Sequence, residues 1–260
     1  MDFTQPHPEE STAYTAWVLG TMAEICEILG KTEPIAMLKE YSDGAKKAYQ
    51  EMVSTPKFTL DTDRQAKLVR PLYMDLLNEE QTAFAKERLI KALDNYAWRL
   101  GTGFLSTPLI LYVLADMNIE YAYRLLENEE IPGWLSMPKN GATTIWEDWE
   151  GPNTRQGGIA SLNHYSKGAV CEWLFDTCCG IRVDGKNHFT IAPRPGGHLA
   201  RAEVSYNSVY GEVSSAWKRE SKKTIYTISI PANCEAIVVL PSGRTETVGA
   251  GLYSYAEIDQ

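Results

Sequence analysis

Between Gly141 and Gly151 the chain reads Gly-Ala-Thr-Thr-Ile-Trp-Glu-Asp-Trp-Glu-Gly, which sets three carboxylates, Glu147, Asp148 and Glu150, among two indoles, Trp146 and Trp149. Carboxylates can take and give protons, and indoles offer broad apolar faces. A sugar matches both, because its C–H faces stack on indole while its hydroxyls and glycosidic oxygens need acid and base groups. An acidic surface turn whose tryptophans plug the core fits the same composition equally well. Trp134, upstream, is a second candidate platform or a core plug beneath the loop. His164, downstream at the start of a helical pattern, is placed either to touch a ligand or to bond the backbone.

The rest of the chain bounds what such a site can serve. At 260 residues it has material for one large domain or two ordinary ones, with 44% hydrophobic and 23% charged residues, as in soluble globular proteins. No apolar run approaches the roughly 20 residues that cross a bilayer, so no membrane partner is expected. A formal net charge of −9 argues against nucleic acid as partner and suits a neutral substrate such as a carbohydrate. The five cysteines, Cys26, Cys171, Cys178, Cys179 and Cys234, form no CxxC pair or zinc spacing. They are expected to be small buried hydrophobes, with Cys171 and Cys178 on one helical face, and neither a metal nor a cofactor is expected. The start lacks the basic and apolar regions of a signal peptide. That implies a cytoplasmic protein if Met1 is the true start, and a periplasmic or secreted one if an upstream signal has been removed.

The elements that must position the loop follow from periodicity. From Ser11 to Leu29, Tyr14, Trp17, Val18, Met22, Ile25, Cys26 and Leu29 recur at helical steps, predicting a helix that turns this stripe to the core. Further helices are predicted over Pro34–Met52, over Asp61–Leu77 with a kink at Pro71, and after Asn78, with Gln81 completing a capping box and Phe84, Leu89, Leu93 and Tyr96 facing inward. Thr107-Pro108 reads as a cap and first turn leading to Met117. Ile119–Leu126 follows, and a last helix from Asn163 carries Val170, Trp173, Leu174, Cys178 and Ile181 inward. That makes about seven helices. Past Ile181 the period falls to two, predicting about six short antiparallel strands in a small β-sandwich. The 131–162 stretch is long for a loop in a helical domain, which marks it as functional.

Several motifs in order then resemble one family. Gly141–Trp149, Ser161-Leu-Asn-His-Tyr165 leading into a helix, and His188-Phe-Thr-Ile-Ala-Pro-Arg-Pro195 are similar to stretches of the α-L-rhamnosidases of glycoside hydrolase family 78. Leu100-Gly-Thr-Gly-Phe104 with Thr107, Ile131-Pro-Gly-Trp134 and Tyr206-Asn-Ser-Val-Tyr-Gly211 followed by Ser215-Ala-Trp217 agree with it. The resemblance covers almost the whole chain. It implies a mainly α chain with a β domain: the C-terminal part of an (α/α)6 barrel over residues 1–182, then a β-sandwich over 183–260. It also implies hydrolysis of terminal α-L-rhamnose with inversion, which uses two carboxyl groups about 6.5–9.5 Å apart, one an acid and one a base that activates water. Glu147 matches the family's general base and His164 its sugar-contacting histidine. Of the substrate-binding candidates Trp146 and Trp149, one would form a sugar platform and the other pack in the core; Trp134 is a second platform or a core plug, and Phe104 with Thr102 would line the barrel mouth. Asp148 stands where the family often has arginine, which makes the charge beside the base more negative.

The same resemblance places the general acid upstream of this sequence, and seven helices are fewer than the twelve of a complete barrel. Asp61-Thr-Asp-Arg64 has suitable residue types, but it reads as an ordinary acidic helix N-terminus. The expected partners are therefore a rhamnose-containing carbohydrate and either the N-terminal portion of the same protein or a second copy of the chain. The alternative is a non-catalytic carbohydrate-binding or barrel-completing module.

Overall fold

The computed structural model describes residues 7–152 and 160–258, and in it the change of period becomes a change from helices to strands. The helices are α1 (Pro8–Ile28), α2 (Ile35–Val53), α3 (Gln65–Tyr73), α4 (Glu79–Asn95), α5 (Ile110–Met117), α6 (Ile119–Leu126) and the single turns α7 (Ser136–Lys139), α8 (Tyr165–Gly168) and α9 (Val170–Trp173). A π-helical turn, Leu174–Cys178, continues α9. By their contacts the residues gather into two units, Met1–Val113 with Glu130–Gly133, and Leu114–Glu129 with Trp134–Gln260. The change from helix to strand falls inside the second unit.

In the first unit α1 lies against α2, and the buried face of α1 is not the one its large apolar residues predict. Ala13, Ala16, Ala23 and Cys26 are buried, whereas Trp17, Val18, Met22, Ile25, Ile28 and Leu29 are exposed. The cause is close approach: Ser42 Oγ of α2 donates to the Ala16 carbonyl at 2.7 Å, and a Cβ on Gly20 would stand 3.3 Å from that same hydroxyl. Small side chains let the backbones come together, so the bulky stripe is turned outward.

Helix α4 opens on the expected capping box. Asn78 accepts from the Gln81 N–H at 2.9 Å and Gln81 accepts from the Asn78 N–H at 3.2 Å. Leu89 and Leu93 are buried as predicted, but Phe84 and Tyr96 are exposed. Helix α3 begins only at Gln65, so Asp61 and Asp63 lie ahead of it. There they grip Arg88 at 2.8 and 2.9 Å. Thr107 does not cap α5; its hydroxyl meets Thr102 Oγ1 at 2.7 Å and donates to the Gly103 carbonyl at 3.0 Å, closing the loop that carries Phe104.

In the second unit the described residues hold eight strands rather than six: β1 (Ile181–Val183), β2 (His188–Ile191), β3 (Arg201–Ser208), β4 (Gly211–Glu220), β5 (Lys223–Ile230), β6 (Glu235–Val239), β7 (Thr245–Val248) and β8 (Gly251–Ile258). They form sheets ordered β1-β2-β6-β7 and β3-β4-β5-β8. Every pair is antiparallel except β2–β6, which run parallel. Ile181 belongs to β1, not to the last helix, because the π turn ends that helix at Cys178. In β5 alternation buries Thr224, Tyr226, Ile228 and Ile230. Trp217 of β4 is fully buried and donates from its indole N–H to the Cys178 carbonyl at 2.9 Å, tying the sheet to the end of the helix. All five cysteines are free thiols; Cys171 is exposed, contrary to the face predicted for it, because the kinked helix turns it away from Cys178.

Candidate active site

The loop from Gly141 is fixed at both ends by glycines in left-handed backbone. Gly141 (φ 84°) donates to the Pro138 carbonyl at 3.0 Å, so the chain leaves α7 by a tight reversal. Gly151 (φ 83°) donates to the Asp148 carbonyl at 3.2 Å, and a Cβ there would come within 2.4 Å of the Trp146 ring. Glycine is required at 151 both by conformation and by that contact.

Between those ends the loop is laced to the segment before α8. Glu147 donates its N–H to the Ser161 carbonyl at 2.8 Å, and His164 donates its N–H to the Ile145 carbonyl at 2.8 Å. The Thr144 hydroxyl donates to the Leu162 carbonyl. This ladder fixes the backbone on either side of Glu147 and places His164 across from Ile145. Residues 153–159, part of the long loop, lie outside the described residues.

The Glu147 carboxylate is half-buried. Its Oε2 accepts the Ser161 N–H at 2.8 Å, while Oε1 meets no donor among the described residues. One oxygen is thus anchored and the other can take a proton. His164 heads α8 without capping it, and its ring stacks on Tyr165 with centroids 5.5 Å apart.

The tryptophans divide by depth. Trp146 is buried behind Gly151, with its N–H directed to Met137 Sδ at 3.3 Å. Trp134 is buried also; its indole N–H donates to the Lys167 carbonyl at 3.0 Å, and its ring meets Trp149 edge to face at 6.4 Å. Trp149 is half-buried, with Trp134 at one side. Glu147, Trp149, Trp146, Trp134 and His164 are thus all in the second unit, whereas Phe104 belongs to the first, where it is exposed.

Sequence reasoning missed Lys167. It is only 3% exposed, its ammonium donates to the Glu147 carbonyl, and it lies 3.6 Å above the Trp149 ring. Burial pushes the Lys167 ammonium down to about 8, against the opposing pull of Asp148, Glu150 and Glu147. Nothing in the sequence marks it, because a lysine in a helical pattern ordinarily faces solvent. Among the described residues no group of three His, Cys, Asp or Glu side chains could hold a metal ion. No helix among them is long and apolar enough to cross a membrane.

Comparison with known proteins gives the family. Residues 2–178 match the family model of the bacterial α-L-rhamnosidase six-hairpin glycosidase domain, and residues 182–253 match that of the bacterial α-L-rhamnosidase C-terminal domain. An α-L-rhamnosidase of Formosa agariphila is 32% identical over 95% of this chain and 29% of its own length. Among solved structures, the native α-L-rhamnosidase of Aspergillus terreus superposes with a TM-score of 0.84 at 29% identity, covering 94% of this chain and 30% of that one. The Streptomyces avermitilis α-L-rhamnosidase complexed with L-rhamnose gives 0.83 at 30% identity, covering 95% and 26%. The chain therefore spans about a quarter to three-tenths of the length of the relatives it matches.

Proposed function

The chain belongs to the bacterial α-L-rhamnosidase six-hairpin glycosidase family, and from that membership we propose that it is the C-terminal portion of an inverting α-L-rhamnosidase, with Glu147 as its general base. Its substrate is terminal α-L-rhamnose on a glycoside or polysaccharide. We divide it into a barrel part over residues 1–182 and a sandwich over 183–260. The observation that carries the assignment of the base is the asymmetric setting of Glu147: one oxygen held by Ser161, the other open to a water proton, on a backbone laced at 145, 147, 161 and 164. Inversion requires a base and an acid on opposite sides of the sugar, with room between them for the attacking water. Glu147 abstracts the proton of that water, while an acid from another part of the enzyme protonates the leaving oxygen. Both carboxylates act in one step, so this chain alone has little or no turnover; losing proton transfer by one partner typically removes a factor of 10²–10⁴.

Trp149 is the best placed of the tryptophans to offer a sugar platform. Buried Trp134 and Trp146 back the loop and fix its shape. His164 supplies a polar contact from the facing segment. Titrating the chain with L-rhamnose while following tryptophan emission tests this arrangement. The expected result is a saturable change that disappears in Trp149→Ala; an unchanged response in that variant contradicts it.

A further inference from the structure

We propose that Lys167 is the positioning residue for Glu147: its buried ammonium ties the Glu147 carbonyl and the face of Trp149 to the helix start that carries His164. The proposal rests on Glu147 and His164 being parts of the site, and it explains what holds them together. A lysine is seldom this deep, because removing an ammonium from water is costly unless strong acceptors replace the water. Here the replacements are specific. The Glu147 carbonyl accepts a hydrogen bond from Nζ, and the indole of Trp149, 3.6 Å away, offers the negative face of its ring quadrupole. The other end of the residue is gripped as well, by the Trp134 indole N–H on the Lys167 carbonyl at 3.0 Å. Trp134, Lys167, Trp149 and Glu147 thus form one continuous tie from beneath the loop to the Glu147 backbone.

No carboxylate among the described residues hydrogen-bonds this ammonium. Among the described residues, the charges that act on it are Asp148, Glu150 and Glu147. They favour its charged form without neutralising it at short range, so the lysine offsets the acidity of the loop while its hydrogen bond goes to backbone. That division suits a base. A direct Lys–Glu pair would hold the carboxylate, whereas a bond to the carbonyl fixes the residue and leaves Oε1 open.

Amide hydrogen exchange on the 260-residue chain tests the tie. Lys167→Met is expected to speed exchange of the Glu147 N–H at least tenfold relative to protected amides elsewhere, and Lys167→Arg to restore most of the protection. A second measurement needs no variant at 167 that folds. The emission of Trp149, isolated by difference against Trp149→Phe, should change in a single step centred near pH 8 as the ammonium loses its proton. Wild-type exchange at Glu147 in Lys167→Met, or the absence of that pH step, overturns the proposal and leaves Lys167 a packing residue. The outcome is separate from the identity of the base: a fully active Glu147→Gln enzyme rejects the base, whereas exchange and emission reject or support the tie.

Discussion

Glu147, the proposed base, is held chiefly through its backbone. The N–H of the same residue, its carbonyl and one carboxylate oxygen are each occupied, by the Ser161 carbonyl, Lys167 and the Ser161 N–H. Among the described residues, its Oε1 meets no donor. Gly151 guards that arrangement from the other end of the loop. Its φ of 83° is a region that residues with a Cβ rarely adopt, and its missing Cβ is the space the Trp146 ring occupies. Gly151→Ala should therefore destabilise the chain by about 1–3 kcal/mol, read as a lower denaturant midpoint, with a shift in tryptophan emission as Trp146 is displaced. A midpoint equal to wild type would show that the loop rearranges freely. The sequence displayed Glu147, Trp149 and the glycines plainly, because their types are unusual together. Lys167 was hidden because a lysine in a helix normally reads as solvent-facing, and only the fold brings it under an indole.

At the scale of elements, periodicity located the helices well and their buried faces less well. Helix α4 follows its capping box, and β3, β4 and β5 follow their alternation with the turns at 209–210 and 221–222. Helix α1 does not follow its large apolar stripe, because contact with α2 selects small residues and close backbones over bulk. The extra strands were missed for different reasons. β1 is three residues long and continues directly from a helical pattern, while β7, Thr245–Val248, is mostly polar. The exposed stripe of α1 has a consequence. Trp17, Met22, Ile25 and Ile28 are large apolar residues left exposed on one helix, and exposed apolar surface of this kind favours association. The chain on its own should self-associate as concentration rises, and Ile25→Lys with Ile28→Lys should shift it toward monomer in sedimentation velocity. A wild-type chain that stays monomeric over the same range contradicts this use of the stripe.

For the molecule as a whole, family membership and the open helical face point the same way. The chain matches relatives along nearly its full length yet spans under a third of theirs. Its α1 stripe leaves Trp17, Met22, Ile25 and Ile28 exposed. The site we propose for it is the base half of a two-carboxylate mechanism, with Trp149 as platform, His164 as polar contact and buried Lys167 as the tie between them. The fold class and the family were legible in the sequence because the motifs carry their order and spacing with them. Which oxygen of Glu147 is held, and by what, required the fold, since Ser161 and Lys167 lie 14 and 20 residues away in sequence. The most direct test is hydrolysis of an aryl α-L-rhamnoside by the full-length gene product, comparing wild type with Glu147→Gln at equal melting temperature. The expected result is a fall in kcat of about 10²–10⁴ with KM little changed; a variant that retains activity within a few fold would show that Glu147 is not the base.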